Sequence, residues 1–207
     1  MTTLPSDAAT TWNQRFASED YIFGREPNAY LRAQAGLLPR EGQALCVADG
    51  EGRNSVWLAR QGLKVQAFDI AEVGVTKARR LAAESGVTVA FNVAGCDDWH
   101  WQTGTHDVVV AVFVQFADPA MRGRLFDNMA RALKPGGLLI IQGYTPRQLD
   151  YKTGGPGVLS HLYTADMLRK AFGALQIIEL TEYDAELQEG ARHAGKSALV
   201  GLVARKA

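Results

Sequence analysis

Two features of the sequence could do chemistry together. The first is a glycine-containing turn, Ala48-Asp49-Gly50-Glu51-Gly52-Arg53-Asn54, set between an apolar run and a helical pattern. Glycines let the backbone approach a ligand closely and take up positive φ. The helix that follows offers free N–H groups to a polar or anionic ligand. The second is Asp69, which closes the next apolar run. A carboxylate there can accept hydrogen bonds from both ribose hydroxyls of an adenosine group. Either feature alone has an ordinary explanation, as a tight turn or as a helix cap. In sequence they favour ribose binding. A dinucleotide fingerprint needs a third glycine at position 55, where this chain has Ser55, which weighs against a nicotinamide oxidoreductase.

Other candidates are single residues. Tyr21, Phe23 and Trp99 could wrap an adenine and a cationic group, since a cation is drawn to a ring face. Tyr21 and Trp99 sit in polar, loop-like sequence and are the better choices for ligand contact. Trp12, Phe16 and Phe23 read more simply as core aromatics. Gln115 lies just past the fourth apolar run. His161 follows the Gly154-Gly155-Pro156-Gly157 loop, while His193 falls in an expected hairpin turn. No acid–base pair stands out. Cys46 and Cys96 are far apart, and no Cys/His cluster has zinc spacing, so neither a disulfide framework nor a metal is expected.

These residues need elements to hold them. Apolar runs alternate with helical patterns, which argues for a parallel sheet covered by helices. Strands are expected at 44–48, 65–68, 87–93, 107–112 and 138–142. Helices are expected at 53–61, along the Val75, Ala78, Leu81, Ala82 face, from Asp118-Pro119 along the Met121, Leu125, Met129, Leu133 stripe, and from Thr164 to about Phe172. The runs 175–183 and 198–203 have no helix between them and should be antiparallel. The expected fold class is α/β, a Rossmann-like three-layer sandwich: a seven-stranded, mostly parallel sheet ending in an antiparallel hairpin. A single domain is expected over 1–207, with an N-terminal helical lid at 1–40 and the core at 41–207.

Composition narrows the function. Of 207 residues, 47% are apolar and 21% charged, and the formal net charge is zero, an ordinary globular balance. A protein that lives on nucleic acid usually carries a basic excess, so nucleic acid is not the expected partner. No signal peptide or membrane span is expected, so the reading is cytoplasmic.

With these residues in place, the chain resembles the class I S-adenosylmethionine-dependent methyltransferases, in the group of tellurite-resistance and thiopurine methyltransferase-like proteins. Trp12-Asn13 with Phe16 and the stretch Tyr21 to Asn28 resemble that group's N-terminal lid. The turn at Gly50 resembles its glycine motif, Asp69 its ribose-binding acid, and Leu133-Lys134-Pro135-Gly136-Gly137 the turn before its fifth strand. Gly143-Tyr144-Thr145-Pro146, Thr153-Gly154-Gly155-Pro156 and Leu162-Tyr163-Thr164 resemble one subgroup. Three positions depart from the pattern: Cys46 replaces an acid, Ala48 a first glycine, and Gly95 the acid that reads adenine, with Cys96, Asp97 and Asp98 beside it.

The resemblance implies S-adenosyl-L-methionine as cofactor. The expected cofactor residues are Tyr21, Asp49, Gly50, Glu51, Gly52, Asn54, Asp69, Ile70, Cys96, Asp97, Trp99 and Val112. Gln115, Tyr144 and His161 are the expected catalytic residues, with Tyr151 and Tyr163 also lining the acceptor pocket. The sequence at 112–116 lacks the Asn-Pro-Pro-aromatic motif of amino-group DNA methyltransferases. A small-molecule acceptor is expected, a thiol or chalcogen species, on a monomer or homodimer. A methyltransferase of RNA or protein and a non-catalytic S-adenosylmethionine-binding protein are the alternatives.

Overall fold

The computed structural model describes residues 7–207; the first six residues of the expected lid lie outside the described residues. The N-terminal part contains helices α1 (Asp7–Arg15) and α2 (Ala29–Ala33). The sheet strands follow as β1 (Gln43–Val47), β2 (Lys64–Asp69), β3 (Val89–Val93), β4 (His106–Val112), β5 (Leu133–Tyr144), β6 (Gln176–Glu189) and β7 (His193–Arg205). Between them lie α3 (Arg53–Arg60), α4 (Glu72–Glu84), α5 (Pro119–Ala132), α6 (Gln148–Tyr151) and α7 (Ala165–Ala171). The strand order is β3-β2-β1-β4-β5-β7-β6. β7 runs antiparallel to β5 and β6, and the other pairings are parallel. This is the expected seven-stranded, mostly parallel α/β sheet with an antiparallel C-terminal hairpin.

The apolar strands bury both faces, which is why β4 reads as a continuous run rather than an alternation. Leu45, Val47, Val109, Ala111, Leu139 and Ile141 face one side and pack with Leu125 and Met129 of α5 and Phe172 after α7. Ala44, Cys46, Val108, Val110, Leu138 and Ile140 face the other and pack with Leu31 of α2 and Leu58 of α3. The expected caps form: the Asp118 side chain accepts the Met121 N–H at 2.9 Å, and Thr164 accepts that of Met167 at 3.1 Å. Among the described residues no helix is long and apolar enough to cross a membrane.

The tail differs from expectation. β6 and β7 extend well past the runs at 175–183 and 198–203, up to the Glu189–His193 pairing. Polar and small residues there alternate along an edge ribbon, so no apolar run marks them. His193 is thus the first residue of β7, not a turn residue. The hairpin tip docks on the N-terminal segment: the Arg192 N–H donates to the Ile22 carbonyl at 3.2 Å. Gly190, at φ +71°, meets that segment so closely that a Cβ there would lie 2.4 Å from the Ile22 oxygen.

Gly52 has a packing role of the same kind. Its φ is +92°, and a Cβ would lie 2.7 Å from the Ala78 Cβ, so it lets α3 and α4 approach. Gly52→Ala adds both a left-handed alanine and an overpacked contact. It should lower the unfolding free energy by about 2–4 kcal/mol in urea denaturation; a loss under about 0.5 kcal/mol would contradict this packing account.

Candidate active site

A cleft of about 1060 Å³ opens at the carboxyl ends of β1 and β4. Here the strand order reverses, since β2 follows β1 on one side and β4 neighbours it on the other. Open α/β sheets bind ligands at such a switch point.

One end of the cleft is built on Asp69. Burial pushes its carboxyl up to about 6, although N–H groups of Ala71 and Gly50 pull the other way. Those two donors lie at 2.9 Å each, one on each oxygen. A carboxylate has lone pairs beyond these two bonds, and Asp69 lines the cleft with Asp49, Gly50, Asn54 and Ile70. Asp49 sits behind it. Its oxygens hold the N–H and hydroxyl of Ser55, in the first turn of α3. Burial raises its carboxyl to about 7; the Ser55 hydroxyl opposes the shift and Asp69 adds to it. Ala48 takes φ +48°, so the alanine that replaces the usual glycine sits in the left-handed region that glycine favours.

Cys96, Asp97 and Val112 also line the cleft. The Asp97 carboxylate, however, is held by Arg124 at 2.8 and 3.1 Å on the exposed rim. Asp98 instead leans over Gly95: a Cβ on that glycine would lie 2.9 Å from the Asp98 Oδ2. The glycine at 95 therefore makes room for an acid supplied by Asp98, a cleft residue.

Four expected cofactor residues fall outside the cleft lining. Glu51 is buried in an ion pair with Lys77, and its other oxygen accepts the Phe23 N–H at 3.4 Å. Lys77 also donates to the carbonyls of Ser18 and Asp20, so this pair fastens the N-terminal segment to α4. Tyr21 joins the same anchor, donating to the Lys77 carbonyl at 3.0 Å. Gly52 serves the helix contact described above. Trp99 stacks on Phe68 with centroids 4.6 Å apart and belongs to the core. The aromatic expectation is inverted: Trp12, Phe16 and Phe23, read as core, line the cleft and pack together with centroids 5.4–6.4 Å apart. Polar flanking sequence misled the choice, because the anchoring of residues 18–21 by Lys77 is invisible locally.

The other end of the cleft holds Tyr144, His161 and Gln115. Gln115 is occupied by backbone: its Oε1 accepts the Tyr144 N–H at 2.5 Å, and its Nε2 donates to the carbonyls of Tyr144 and His161. It joins the end of β5 to the 159–161 turn, so both amide atoms of this expected catalytic residue are engaged by backbone. His161 edges the cleft with Nδ1 3.2 Å from the Gln115 carbonyl. Tyr163 is fully buried, with its hydroxyl on the Val114 carbonyl, and Tyr151 bonds Asp184 and Arg147. Neither lines the cleft.

Phe113 and Glu189, which the sequence did not single out, meet Phe23, His193 and Arg53 near this end. Phe113 follows β4 at φ +56°, a strained conformation for a bulky residue, and such strain gathers at functional sites. Its ring stacks on Tyr144 at 4.7 Å and lies 4.2 Å from that of His193, which in turn is 4.4 Å from Phe23. Arg53 pairs with Glu189 at 2.7 Å. Glu189 also takes the Ala29 N–H and the Asn28 amide, and Asn28 reaches Gln142 at 2.6 Å. Burial pushes the Glu189 carboxyl up, but Arg53, Ala29 and Asn28 more than offset it and hold it below the usual range. Arg53 was legible only as part of the glycine turn. Glu189 carried no signal, because the hairpin that delivers it was read as shorter.

Comparison with known proteins agrees with this geometry. A family model described as a methyltransferase domain matches residues 44–137. The chain is 32% identical over 149 residues to a ubiquinone biosynthesis O-methyltransferase of Caulobacter sp. (strain K31), covering 65% of this chain and 58% of that protein. The chain spans from 36% to 58% of the length of the first curated relatives it matches. A solved structure concerned with conversion of a disulfide bond into a thioacetal group during echinomycin biosynthesis superposes with a TM-score of 0.78. It is 18% identical, over 96% of this chain and 92% of that one. The N-methyltransferase NodS from Bradyrhizobium japonicum WM9, in complex with S-adenosyl-L-homocysteine, superposes with a TM-score of 0.71 at 14% identity, over 97% and 99%. The fold is that of the class I methyltransferases.

The residues fit the cofactor of that fold. The Asp69 carboxylate keeps acceptor capacity, the turn at Asp49-Gly50 lies beside it, and Asp98 lines the same cleft next to Gly95. Two buried groups of the cleft, Asp49 and Tyr144, each carry a prediction. Asp49 is raised in the folded state, so the fold binds more protons than the unfolded chain from about pH 4 to 7, and its contribution to stability falls as pH rises through that window. Asp49→Asn should therefore gain stability relative to the parent on going from about pH 5 to pH 8, read as the difference in Tm; a flat difference would contradict it. Tyr144→Phe removes a buried hydroxyl that has no partner, so thermal melting should show an unchanged or higher Tm, and a drop of several degrees would contradict that assignment.

Proposed function

We propose that this chain is an S-adenosylmethionine-dependent methyltransferase acting on a small, soft acceptor, a thiol or chalcogen species, as in the tellurite-resistance and thiopurine-like group it resembles. Its cofactor is S-adenosyl-L-methionine. The observation that carries the reading is a single cleft with a ribose-type carboxylate at one end and an aromatic chamber without a strong base at the other. When bound, the cofactor supplies a methyl group on a sulfonium. Asp69 holds the sugar, the Asp49-Gly50 turn brings backbone close, and Asp98 with the Cys96 backbone meets the adenine edge. Val112 and Ile70 supply apolar surface.

The chain's part in the reaction is to place the acceptor and keep water away. Phe23, Phe113 and Tyr144 form the walls, and the N-terminal segment from residue 7 to 40 with the hairpin tip acts as the lid. Burial raises the Tyr144 hydroxyl above the ordinary phenol range, so it stays protonated. Burial also holds His193 down to about 3, helped by Arg53, which makes it a weak base. An acceptor that is already nucleophilic suits this chamber, whereas a hydroxyl or amine needs a base. The roof formed by the hairpin and N-terminal segment favours a small acceptor over RNA or protein. Two buried, unpaired cysteines suit a reducing cytoplasm.

Incubation with methyl-labelled cofactor and a panel of thiols, amines and RNA tests the acceptor. Transfer to thiols is expected; transfer only to RNA or an amine would overturn the reading, and binding without any turnover would favour a non-catalytic protein. Asp69→Asn should weaken S-adenosylhomocysteine binding at least about tenfold by calorimetry while leaving the protein folded, because hydrogen bonds to a charged acceptor are worth about 1.5–3 kcal/mol. An unchanged affinity would remove the ribose assignment.

A further inference from the structure

Two motifs of the sequence, Gly143-Tyr144-Thr145-Pro146 and Thr153-Gly154-Gly155-Pro156, meet at the acceptor end of the cleft. Gly154 and Gly155 lie across the Tyr144 ring. A Cβ on Gly155, at φ +78°, would be 2.8 Å from the Tyr144 Cδ2, and one on Gly154 would be 3.0 Å from the Tyr144 hydroxyl oxygen. Glycine lets the backbone come this close. Thr153 and the three residues after it also line the cleft, so this segment is one wall of the acceptor end.

The wall has no regular structure of its own. It follows the four-residue helix α6, turns at Lys152 with φ +55°, and is rich in glycine. Such a segment has much conformational freedom to lose, so side chains must hold it. Gln148, the first residue of α6 and 1% exposed, does this. Its Nε2 donates to the Thr153 hydroxyl at 3.0 Å and to the Gly154 carbonyl at 3.2 Å. Its Oε1 accepts the Ala198 N–H of β7 at 2.8 Å. The Thr153 hydroxyl donates in turn to the Lys196 carbonyl, also of β7. The Ala198 carbonyl takes the N–H of Thr145, the residue after β5, at 2.9 Å. One amide and one hydroxyl thus tie the glycine segment to β7 and the end of β5.

A buried, bonded glutamine commonly serves stability alone. Here it holds cleft lining rather than core, and none of these bonds involves Asp49, Gly50 or Asp69. Displacing the segment changes the space beside Tyr144 and leaves the adenosyl end as it is.

We infer that Gln148 and Thr153 are positioning residues for the methyl acceptor: through the Gly154-Gly155 backbone they set the wall against which it is held. This rests on the methyltransferase reading above and deepens it.

Thr153→Val keeps the shape and removes the hydroxyl, whereas Thr153→Ser keeps the hydroxyl. Both variants and Gln148→Leu are compared with the parent as full chains. Calorimetry gives the affinity for S-adenosylhomocysteine, and methyl-labelled cofactor gives kcat and KM for thiophenol. Thr153→Val should raise that KM at least about fivefold, the weight of one lost hydrogen bond, with kcat and S-adenosylhomocysteine affinity within about twofold. Thr153→Ser should keep KM near the parent value. Gln148→Leu should shift KM in the same direction as Thr153→Val; if it does not fold, the threonine pair decides. An unchanged KM in Thr153→Val, an equal loss of S-adenosylhomocysteine affinity, or a serine variant no better than valine overturns the inference. If the parent labels an amine or RNA and no thiol, the soft-acceptor reading fails, and the same comparison on that acceptor decides. If it binds S-adenosylhomocysteine and labels nothing, the inference falls while the cofactor site stands. If S-adenosylhomocysteine does not bind, the methyltransferase reading fails first and takes the inference with it.

Discussion

The site depends on a carboxylate held by backbone. Asp69 ends β2 and accepts the N–H groups of Gly50 and Ala71. One bond ties the turn after β1 to the end of β2; the other shapes the start of α4. Burial makes this carboxylate costly to ionise, and two backbone donors offset part of that cost. The same group is thereby fixed in place at the cleft with acceptor capacity to spare. A rigid, pre-ordered acceptor binds more tightly than a mobile one because less freedom is lost on association.

A second polar network organises the opposite end. Asn28 from the N-terminal part, Arg53 from α3, Gln142 from β5 and Glu189 from the hairpin meet in one buried cluster. Each comes from a different element, so the cluster forms only once the sheet, the hairpin and the N-terminal segment are together. Removing one member would strand the others without partners, and stranded buried charges are strongly destabilising. Arg53 both holds this cluster through Glu189 and lines the cleft.

Much of this was legible in the sequence, for physical reasons. Buried strands such as 108–111 announce themselves because both faces are apolar, and the caps at Asp118 and Thr164 because local side chains satisfy local N–H groups. The glycine turn and Asp69 were readable as a pair because both lie at ends of adjacent strands. What failed depended on distant partners. Glu51 and Tyr21 looked like ligand residues, yet Lys77 on α4 claims them. Gln115 looked catalytic until the backbone of β5 filled its amide. The hairpin beyond 183 is polar and half exposed, so nothing in its periodicity revealed that it carries Glu189 to Arg53 and His193 to the cleft.

The central claim is that Asp69 grips the sugar of an adenosyl cofactor while the glycine turn lies against it. A crystal structure of the chain with S-adenosylhomocysteine tests this most directly. Both ribose hydroxyls are expected on the Asp69 carboxylate, with the bonds to Gly50 and Ala71 retained. A ribose placed elsewhere, with Asp69 bound to backbone alone, would contradict it.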